Sequence, residues 1–187
     1  MHTVKETAAA ADAAAVVAFW RDAGPSRWFA KNEAFDSEFR ERFLDAHLAA
    51  ARRELDGWSD TVEGCLALLI LTDQFPRNAF RGTARMFATD ALARHFARIA
   101  LLAGYMQQVD QALRPFFCLP FEHSEDLADQ DLSVQLHATL DAASQSWAET
   151  HRDIIRRFGR FPHRNALLLR TPTPEETSFL DAGGFAG

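Results

Sequence analysis

The chain has 187 residues, of which 48% are hydrophobic and 25% charged, a composition that is ordinary for a folded protein and excludes disorder. Its formal net charge of −6 argues against a nucleic-acid partner, because proteins that bind phosphate backbones usually carry a basic excess. Its apolar runs fall short of the roughly 20 residues needed to cross a bilayer, so we expect no membrane partner either.

The two cysteines indicate a reducing compartment. Cys65 and Cys118 both lie in apolar runs, which is typical of buried free thiols and not of a disulfide framework or a zinc site. The Ala-rich stretch 8–20 resembles a signal peptide, but Asp12 interrupts it and Arg21 follows it, so it predicts a first helix instead. We therefore expect a cytoplasmic protein.

Apolar residues recur at helical spacing along most of the chain, and no segment has the alternation of a β-strand. The clearest stripe is Phe35, Phe39 and Phe43 in a helix that Asn32 caps. Residues 65–71 are apolar on all sides, which predicts a central buried helix. The predicted helices cover about residues 8–22, 33–52, 62–73, 90–103, 107–113, 124–143, 146–158 and 173–182, with short helical pieces between Pro115 and Pro120. Residues 1–187 are thus predicted to form a single all-α domain of about seven to nine helices.

Two corners of the chain echo each other. The sequence FPRNA at 75–79 is similar to FPHRNA at 161–166, and each follows an apolar helix. Similar corners at corresponding points suit antiparallel helix-hairpin pairs, the usual unit of helical repeat proteins.

Several longer motifs occur in a recognisable order. They are RWF at 27–29, DQFPRN at 73–78, FRG at 80–82, ATDA at 88–91, LPFEHSED at 119–126 and RFGRFPHRN at 157–165. Together they resemble the bacterial family known as domain of unknown function 924, over nearly the whole chain. The resemblance implies an all-α fold, either a tetratricopeptide-like right-handed superhelix or a compact bundle. It implies no activity.

Residues 119–130 contain most of the candidate functional side chains, because they combine four acids with a histidine. The catalytic candidates there are Glu122, His123, Asp126 and Asp129, and His151 joins them from an apolar helical stripe. Carboxylates beside a histidine serve acid–base chemistry or a divalent cation. No Glu-x-x-His pair of a di-iron bundle and no His-Glu-x-x-His motif is present, so we predict no metal site.

The structural alternative treats the same acids as partners of basic residues. Ser124 is predicted to cap the helix that follows, with Glu125 and Asp126 in its first turn. The counter-charges expected for the cluster are Arg77, Arg81, Arg160 and Arg164, helped by the amides of Asn78 and Asn165. If a ligand binds at this junction instead, the candidates to contact it are Asp73, Arg77, Asn78, Arg81, His163, Arg164 and Asn165.

Two functions therefore stay open. The first hypothesis is an interaction or scaffold domain whose Arg–carboxylate junction holds helix pairs together. The alternative is a small-molecule enzyme, for example a hydrolase, or a ligand-binding protein that uses the cluster at 122–129. The partner is accordingly a protein or a small molecule, and the sequence leaves the cofactor and the oligomeric state unknown. A concave pocket lined by Asp73, Arg77, Glu122, Asp126 and Arg164 favours the second hypothesis, whereas full pairing of these groups favours the first.

Overall fold

A computed structural model describes residues 12–187, and this part of the chain consists of helices and connecting turns without a β-strand. The α-helices are α1 Ala13–Ala23, α2 Pro25–Trp28, α3 Glu33–Ala51, α4 Val62–Leu69, α5 Phe75–Ala79, α6 Asp90–Leu102, α7 Pro115–Glu122, α8 Leu127–His137, α9 Ala142–Phe158 and α10 Pro174–Asp181. A π-helical turn, Ile70–Gln74, joins α4 to α5. If α4, the π turn and α5 are counted as one continuous helix, residues 12–187 hold nine helices, within the predicted seven to nine. Residues 8–11 of the first predicted helix lie outside the described residues.

The core is centred on α4, which is apolar on all sides as predicted. Every residue from Cys65 to Ile70 is buried, and the helix packs against α1, α6 and α7. Beside it, the predicted aromatic stripe of α3 stacks on α1, with the ring of Phe19 5.3 Å from that of Phe35 and 5.2 Å from that of Phe39. Rings at this spacing add stacking energy to their large buried area, so this aromatic cluster stabilises the packing of α1 against α3.

The C-terminal half packs in chain order. Helix α7 lies against α8, and α8 forms a hairpin with α9 through the short connection 138–141. A smaller apolar cluster of Ile154, Ile155 and Phe161 joins α9 to the segment before α10. Helix α10 begins with a capping box formed by Thr173 and Glu176, with Pro174 at the first helical position.

One predicted helix is wrong. Residues 107–113 form two single-turn 3₁₀ segments, Met106–Gln108 and Gln111–Leu113, and not an α-helix. The reason is that Val109 and Asp110 between them adopt ψ angles of 162° and 141°, which break the helical hydrogen-bond ladder. Helix α7 then starts at Pro115, where the missing N–H costs nothing, and it accommodates Pro120 in its interior.

Across residues 12–187, no helix combines the length and the apolar character that crossing a bilayer requires.

Candidate functional site

A cleft of about 1020 Å³ opens on one side of the molecule. It lies where the π turn and α5 meet the end of α7, one face of α9, the 3₁₀ turn Pro162–Arg164 and the segment 185–187. Its apolar lining includes Trp28, Phe29, Phe87, Leu119, Trp147, Phe161 and Phe185. Its polar lining includes Gln74, Arg77, Asn78, Arg81, Glu122, His123, His137, His151, His163 and Arg164. Mainly apolar walls with a few convergent polar groups are the usual form of a small-molecule site.

Asp73 and His123 form an oriented pair beneath this cleft. Asp73 lies on the π turn and is only 1% exposed, and its Oδ1 accepts a 2.8 Å hydrogen bond from Nδ1 of His123. Its Oδ2 accepts a second bond of 2.7 Å from the Gln74 amide. Because Nδ1 carries the proton, Nε2 of His123 is left with a lone pair, and the ring lies in the cleft lining.

The charges around this pair fix its protonation. Burial alone raises the pKa of Asp73, but the charge of Arg77 and the hydrogen bonds from His123 and Gln74 outweigh burial and hold that pKa below its usual range. Burial and the charge of Arg77 lower the pKa of His123 despite the nearby carboxylate. The pair is therefore an ionised Asp73 and a neutral imidazole at neutral pH.

Arg77 connects the π turn to α6 through hydrogen bonds to Asp73 and Asp90. Its Nη1 donates to the Asp73 carbonyl at 2.7 Å and to Oδ1 of Asp90 at 2.9 Å, and its Nη2 donates to the other oxygen of Asp90 at 3.2 Å. Such two-pronged pairing is the strongest form of a guanidinium–carboxylate contact, so Arg77 is held as part of the floor.

Glu122 is the unusual group of the site. It ends α7, is 2% exposed and lines the cleft, yet its Oε2 makes no hydrogen bond within the described part of the chain. The nearest polar atoms are Nε2 of His137, 3.4 Å from Oε2 in a geometry that makes no hydrogen bond, and Nε2 of His151, 3.8 Å from Oε1. A buried carboxyl group without partners is costly when it is ionised.

The two imidazoles beside Glu122 present lone pairs to it. Nδ1 of His137 lies 2.9 Å from the Ser133 carbonyl, and Nδ1 of His151 lies 3.0 Å from the Trp147 carbonyl. Since a carbonyl oxygen only accepts, each Nδ1 carries the proton and each Nε2 is an acceptor that faces Glu122. This arrangement favours the protonated carboxylic acid.

The pKa values agree with that geometry. Burial, reinforced by the charge of Asp73, raises the pKa of Glu122 to about 8, and burial lowers the pKa of His151 to about 4. Asp73 and Glu122 are two carboxyl groups in one site whose environments push their pKa values in opposite directions. Enzymes use two carboxyl groups with such different pKa values as a protonated acid and an ionised carboxylate in one site.

Arg164 is the second cleft residue whose side chain makes no hydrogen bond to the described residues. Its guanidinium packs against the rings of Phe87 and Phe161, 4.6 Å from each centroid, and its side chain is 8% exposed. The Nη1 atom is 3.6 Å from Oδ2 of Asp90, beyond hydrogen-bonding distance, and Nε has no partner in residues 12–187. Burial lowers the pKa of Arg164 to about 10, so the group remains a cation at neutral pH. The adjacent His163 also has a buried, unpartnered Nδ1 and a pKa lowered by burial to about 4.

Asp126 and Asp129, two of the predicted catalytic candidates, lie outside the cleft lining. Asp126 is the N-cap of α8 and accepts from the Ala128 and Asp129 amides at 2.9 and 3.2 Å, which corrects the prediction that Ser124 is the cap. Asp129 pairs with Arg94 and Arg98 and accepts from the Ser124 hydroxyl at 2.8 Å.

The counter-charges predicted for the acidic cluster are mostly wrong. Glu125 is bound by Arg170, at 2.7 Å, and not by Arg81 or Arg160. Arg81 and Asn78 bind Asp36 of α3, at 3.0 and 2.7 Å. Arg160 and Asn165 bind Glu176 of α10, at 2.6 and 3.1 Å. The two echoed corners do converge, but their arginines Arg77 and Arg164 meet at Asp90 and not at the cluster.

Of the predicted ligand-binding residues, the structure brings Arg77, Asn78, Arg81, His163 and Arg164 to the cleft lining. Asp73 lies behind the lining and Asn165 outside it. The catalytic candidates Glu122, His123 and His151 are in it as well.

Sequence reasoning missed several lining residues. His137, which no sequence pattern placed at the site, lines the cleft and is only 3% exposed, and His47, outside the cleft, is also buried at 5%. Each is buried because Nδ1 finds a backbone carbonyl, Ser133 for His137 and Leu71 for His47, which no sequence pattern reveals. Trp147 was identifiable, since it lies four residues before His151 on the same helical face. The π turn that presents Gln74 has no sequence signal.

Metal and thiol chemistry have little support here. Among the residues described, no three His, Cys, Asp or Glu side chains are arranged to hold a metal ion. Burial raises the pKa of Cys65 to about 11 and that of Cys118 to about 12, so neither thiol ionises readily as a nucleophile.

Residues 12–187 thus form an all-helical fold with a cleft that has mainly apolar walls and a polar floor. The chain belongs to the family described as Bacterial protein of unknown function (DUF924), whose sequence model matches residues 16–184. It is also similar to a solved structure titled "Structure of Protein of Unknown Function ATU0120 from Agrobacterium tumefaciens", with 57% identity and a TM-score of 0.89. That match covers 91% of this chain and 97% of the other. Comparison with curated proteins found no match.

Proposed function

We propose that the cleft binds a small organic molecule and that the protein is an enzyme that moves protons on it. The observation that carries this proposal is Glu122, a buried carboxyl group that lines the cleft while its Oε2 makes no hydrogen bond in the described structure. Buried polar atoms in folded proteins are nearly always paired, and exceptions cluster at working sites.

His123 and Glu122 suit the roles of base and acid. The neutral imidazole of His123 has an unprotonated Nε2 and is held by Asp73, which is then a positioning residue. Glu122, with its pKa raised by burial to about 8, keeps a proton to give near neutral pH. In a hydrolase, His123 would take a proton from water while Glu122 protonates the leaving group.

The interaction or scaffold hypothesis, with its tetratricopeptide-like superhelix, draws support from other parts of the molecule. The carboxylates of Glu125, Asp129 and Glu176 are all paired with arginine or capped, as a structural junction requires. That pairing explains their presence without a ligand, but it does not extend to Glu122. The cytoplasmic location that we propose is supported by the two free cysteines.

The test is a ligand screen followed by turnover measurements. Protein-observed NMR with mixtures of small organic molecules would identify binders by the resonances they perturb, and each binder would then be tested for turnover across the pH range. We expect Glu122→Gln and His123→Gln each to lower turnover by about 10²- to 10⁴-fold, the usual contribution of a general acid or base. His95→Gln is the matched control, because His95 is exposed on α6.

Two results would overturn the proposal. One is that no compound perturbs resonances of Trp147 or His123, which means that the cleft is not a binding site. The other is that turnover survives both Glu122→Gln and His123→Gln, which removes the acid–base assignment even if the cleft binds the compound.

A further inference from the structure

We infer that Arg164 is the recognition group for an oxyanion, a carboxylate or phosphate ester on the small molecule that the cleft binds. This inference rests on the proposed function, since it names the substrate class of the same cleft. Its basis is the bonding of Arg164 itself: no side-chain hydrogen bond from Arg164 is found in residues 12–187, although the residue is 6% exposed.

The neighbouring arginines show what a structural arginine in this region looks like. Arg77 donates to the Asp73 carbonyl and to both oxygens of Asp90. Arg170 donates to both oxygens of Glu125, to the Asn165 side chain and to the Phe161 carbonyl. Arg164 is buried as deeply as either of them, but the acceptor nearest to it, Asp90, is already engaged by Arg77.

The rings around Arg164 fix its orientation. The centroids of the Phe87 and Phe161 rings each lie 4.6 Å from the guanidinium carbon, and the N–H donors lie in the plane of the guanidinium. An in-plane fork of N–H donors matches two oxygens of a carboxylate or phosphate. His163 lines the cleft beside it, with its buried Nδ1 unpartnered in the described structure, and adds a second polar group for the same oxyanion.

The unused hydrogen-bond donors of Arg164 point to an anion and away from a cation. Asp73 and Asp90 balance the charges of Arg77 and Arg164, but Asp90 hydrogen-bonds to Arg77, whereas Arg164 lies 3.6 Å from Asp90 without a hydrogen bond. Glu122 adds no negative charge while it is protonated. A bound oxyanion would supply the missing acceptors, and a bound cation would leave them missing.

The rest of the ligand is expected to be apolar. Trp147 is 52% exposed and its ring packs edge-on against Phe185, at 5.6 Å. Phe29 is 65% exposed and lies over Phe116 at the same cleft. Exposed rings at the mouth of a cleft offer a surface for an aromatic or aliphatic body.

Four probes of one shape test the inference on the full chain: benzoate, phenyl phosphate, benzyl alcohol and benzylamine. Binding would be measured by NMR titration, with the ¹⁵Nε resonance of Arg164 as the site-specific readout. We expect benzoate or phenyl phosphate to bind at least about 10-fold more tightly than the alcohol and to shift that resonance, as a charge-assisted pair requires. The stronger of the two anions identifies the oxyanion.

The variants are Arg164→Lys and Arg164→Met, with Arg156→Gln as the control on an exposed arginine of α9. Arg164→Lys keeps the positive charge but loses the planar pair of N–H donors, and it is expected to weaken anion binding by about 10-fold or more. Arg164→Met keeps most of the packing between the two rings. If either variant fails to fold, the wild-type resonance of Arg164 still gives the answer.

The outcomes separate this inference from the proposed function. If the alcohol or the amine binds as tightly as the anions and the Arg164 resonance does not move, the cleft binds ligands but Arg164 does not recognise an oxyanion. If none of the four probes binds and the wider screen also finds no ligand, the proposed function fails and the inference fails with it. Anion binding that Arg164→Lys leaves intact also overturns the inference.

Discussion

Two neighbouring regions use the same residue types in opposite ways. The first, which we call the C-terminal bracket, consists of Glu125, Arg160, Asn165, Arg170 and Glu176. Glu176 accepts from Arg160 at 2.6 and 2.7 Å, from Asn165 at 3.1 Å and from the Thr173 amide at 2.7 Å. Both oxygens of Glu125 are likewise bonded, to Arg170 and to the Phe161 amide. Each carboxylate of the bracket has its partners within the fold.

The cleft floor contrasts with this bracket over very short distances in sequence. Glu122 is three residues before Glu125, and Arg164 is four residues after Arg160, yet neither Glu122 Oε2 nor Arg164 Nε has a hydrogen bond within the described structure. The difference teaches that burial alone does not identify a working group. A buried charge with all its partners holds the fold, and a buried group that lines a cleft without them is available to a ligand.

The largest effect is expected from breaking the bracket at Glu176. Replacing Glu176 with Ala removes the capping box and leaves Arg160 without its carboxylate, and we expect a loss of about 3 kcal/mol in the free energy of unfolding. For a chain of this size that corresponds to a fall in melting temperature of about 6–12 °C. Thermal unfolding followed by circular dichroism measures it.

A matched control lies next to it. Glu175→Ala removes an acid of the same helical turn whose pair with Arg157 is exposed, at 63% and 52%, and it should cost under about 1 kcal/mol. Equal losses in the two variants would show that the bracket is no stronger than a surface ion pair.

The second prediction is an increase in stability from Glu122→Gln that depends on pH. Burial raises the folded-state pKa of Glu122 from 4.5 to about 8, so the folded protein holds a proton that the unfolded chain releases. The resulting stabilisation is complete below the unfolded pKa and is lost as pH rises through the folded pKa. Between pH 5.5 and pH 7 the wild type should lose about 2 kcal/mol relative to Glu122→Gln, because each pKa unit is worth about 1.4 kcal/mol.

Urea unfolding of both proteins across this pH range measures the effect, and Glu125→Gln provides the opposite case. Burial raises the pKa of Glu125, but the hydrogen bonds from Arg170 and the Phe161 amide outweigh it and lower that pKa. Wild type should therefore be the more stable at pH 7, with an advantage that shrinks in acid. A Glu122→Gln variant that is less stable than wild type at pH 8 would mean that Glu122 is a structural partner.

Much of the fold followed from periodicity and capping, because both act within a few residues. The buried α4, the aromatic stripe of α3 and the capping box at Thr173 are local patterns of this kind. The helix predicted over 107–113 failed because Val109 and Asp110 take extended conformations that propensity alone does not specify.

The site was less predictable because its pairings are long-range. Glu122, His123, Arg77 and Arg164 were all recognised as residues with chemistry, but their partners were not. His123 bonds to Asp73, fifty residues away, and Glu125 bonds to Arg170, forty-five residues away. An arginine side chain can reach any of several acids. Its partner is determined by how the helices pack, which no single segment of the sequence specifies.

The smallest effect is expected at Asp126, a catalytic candidate whose hydrogen bonds, like those of the bracket, are made within the fold. Because Asp126 caps α8 by accepting from the Ala128 and Asp129 amides, Asp126→Ala should cost about 1 kcal/mol of stability. Asp126→Asn keeps a capping oxygen and should retain most of the wild-type stability. Asp141→Asn, the same change at the cap of α9, should likewise cost little stability. Urea unfolding gives these values, and titration with benzoate checks the cleft in the same samples. Affinity for benzoate should stay within about twofold of wild type, since Asp126 lies outside the cleft lining. A larger loss of affinity with unchanged stability would place Asp126 among the ligand-binding groups. The distinction between fully paired structural acids and ligand-binding groups would then fail at this residue.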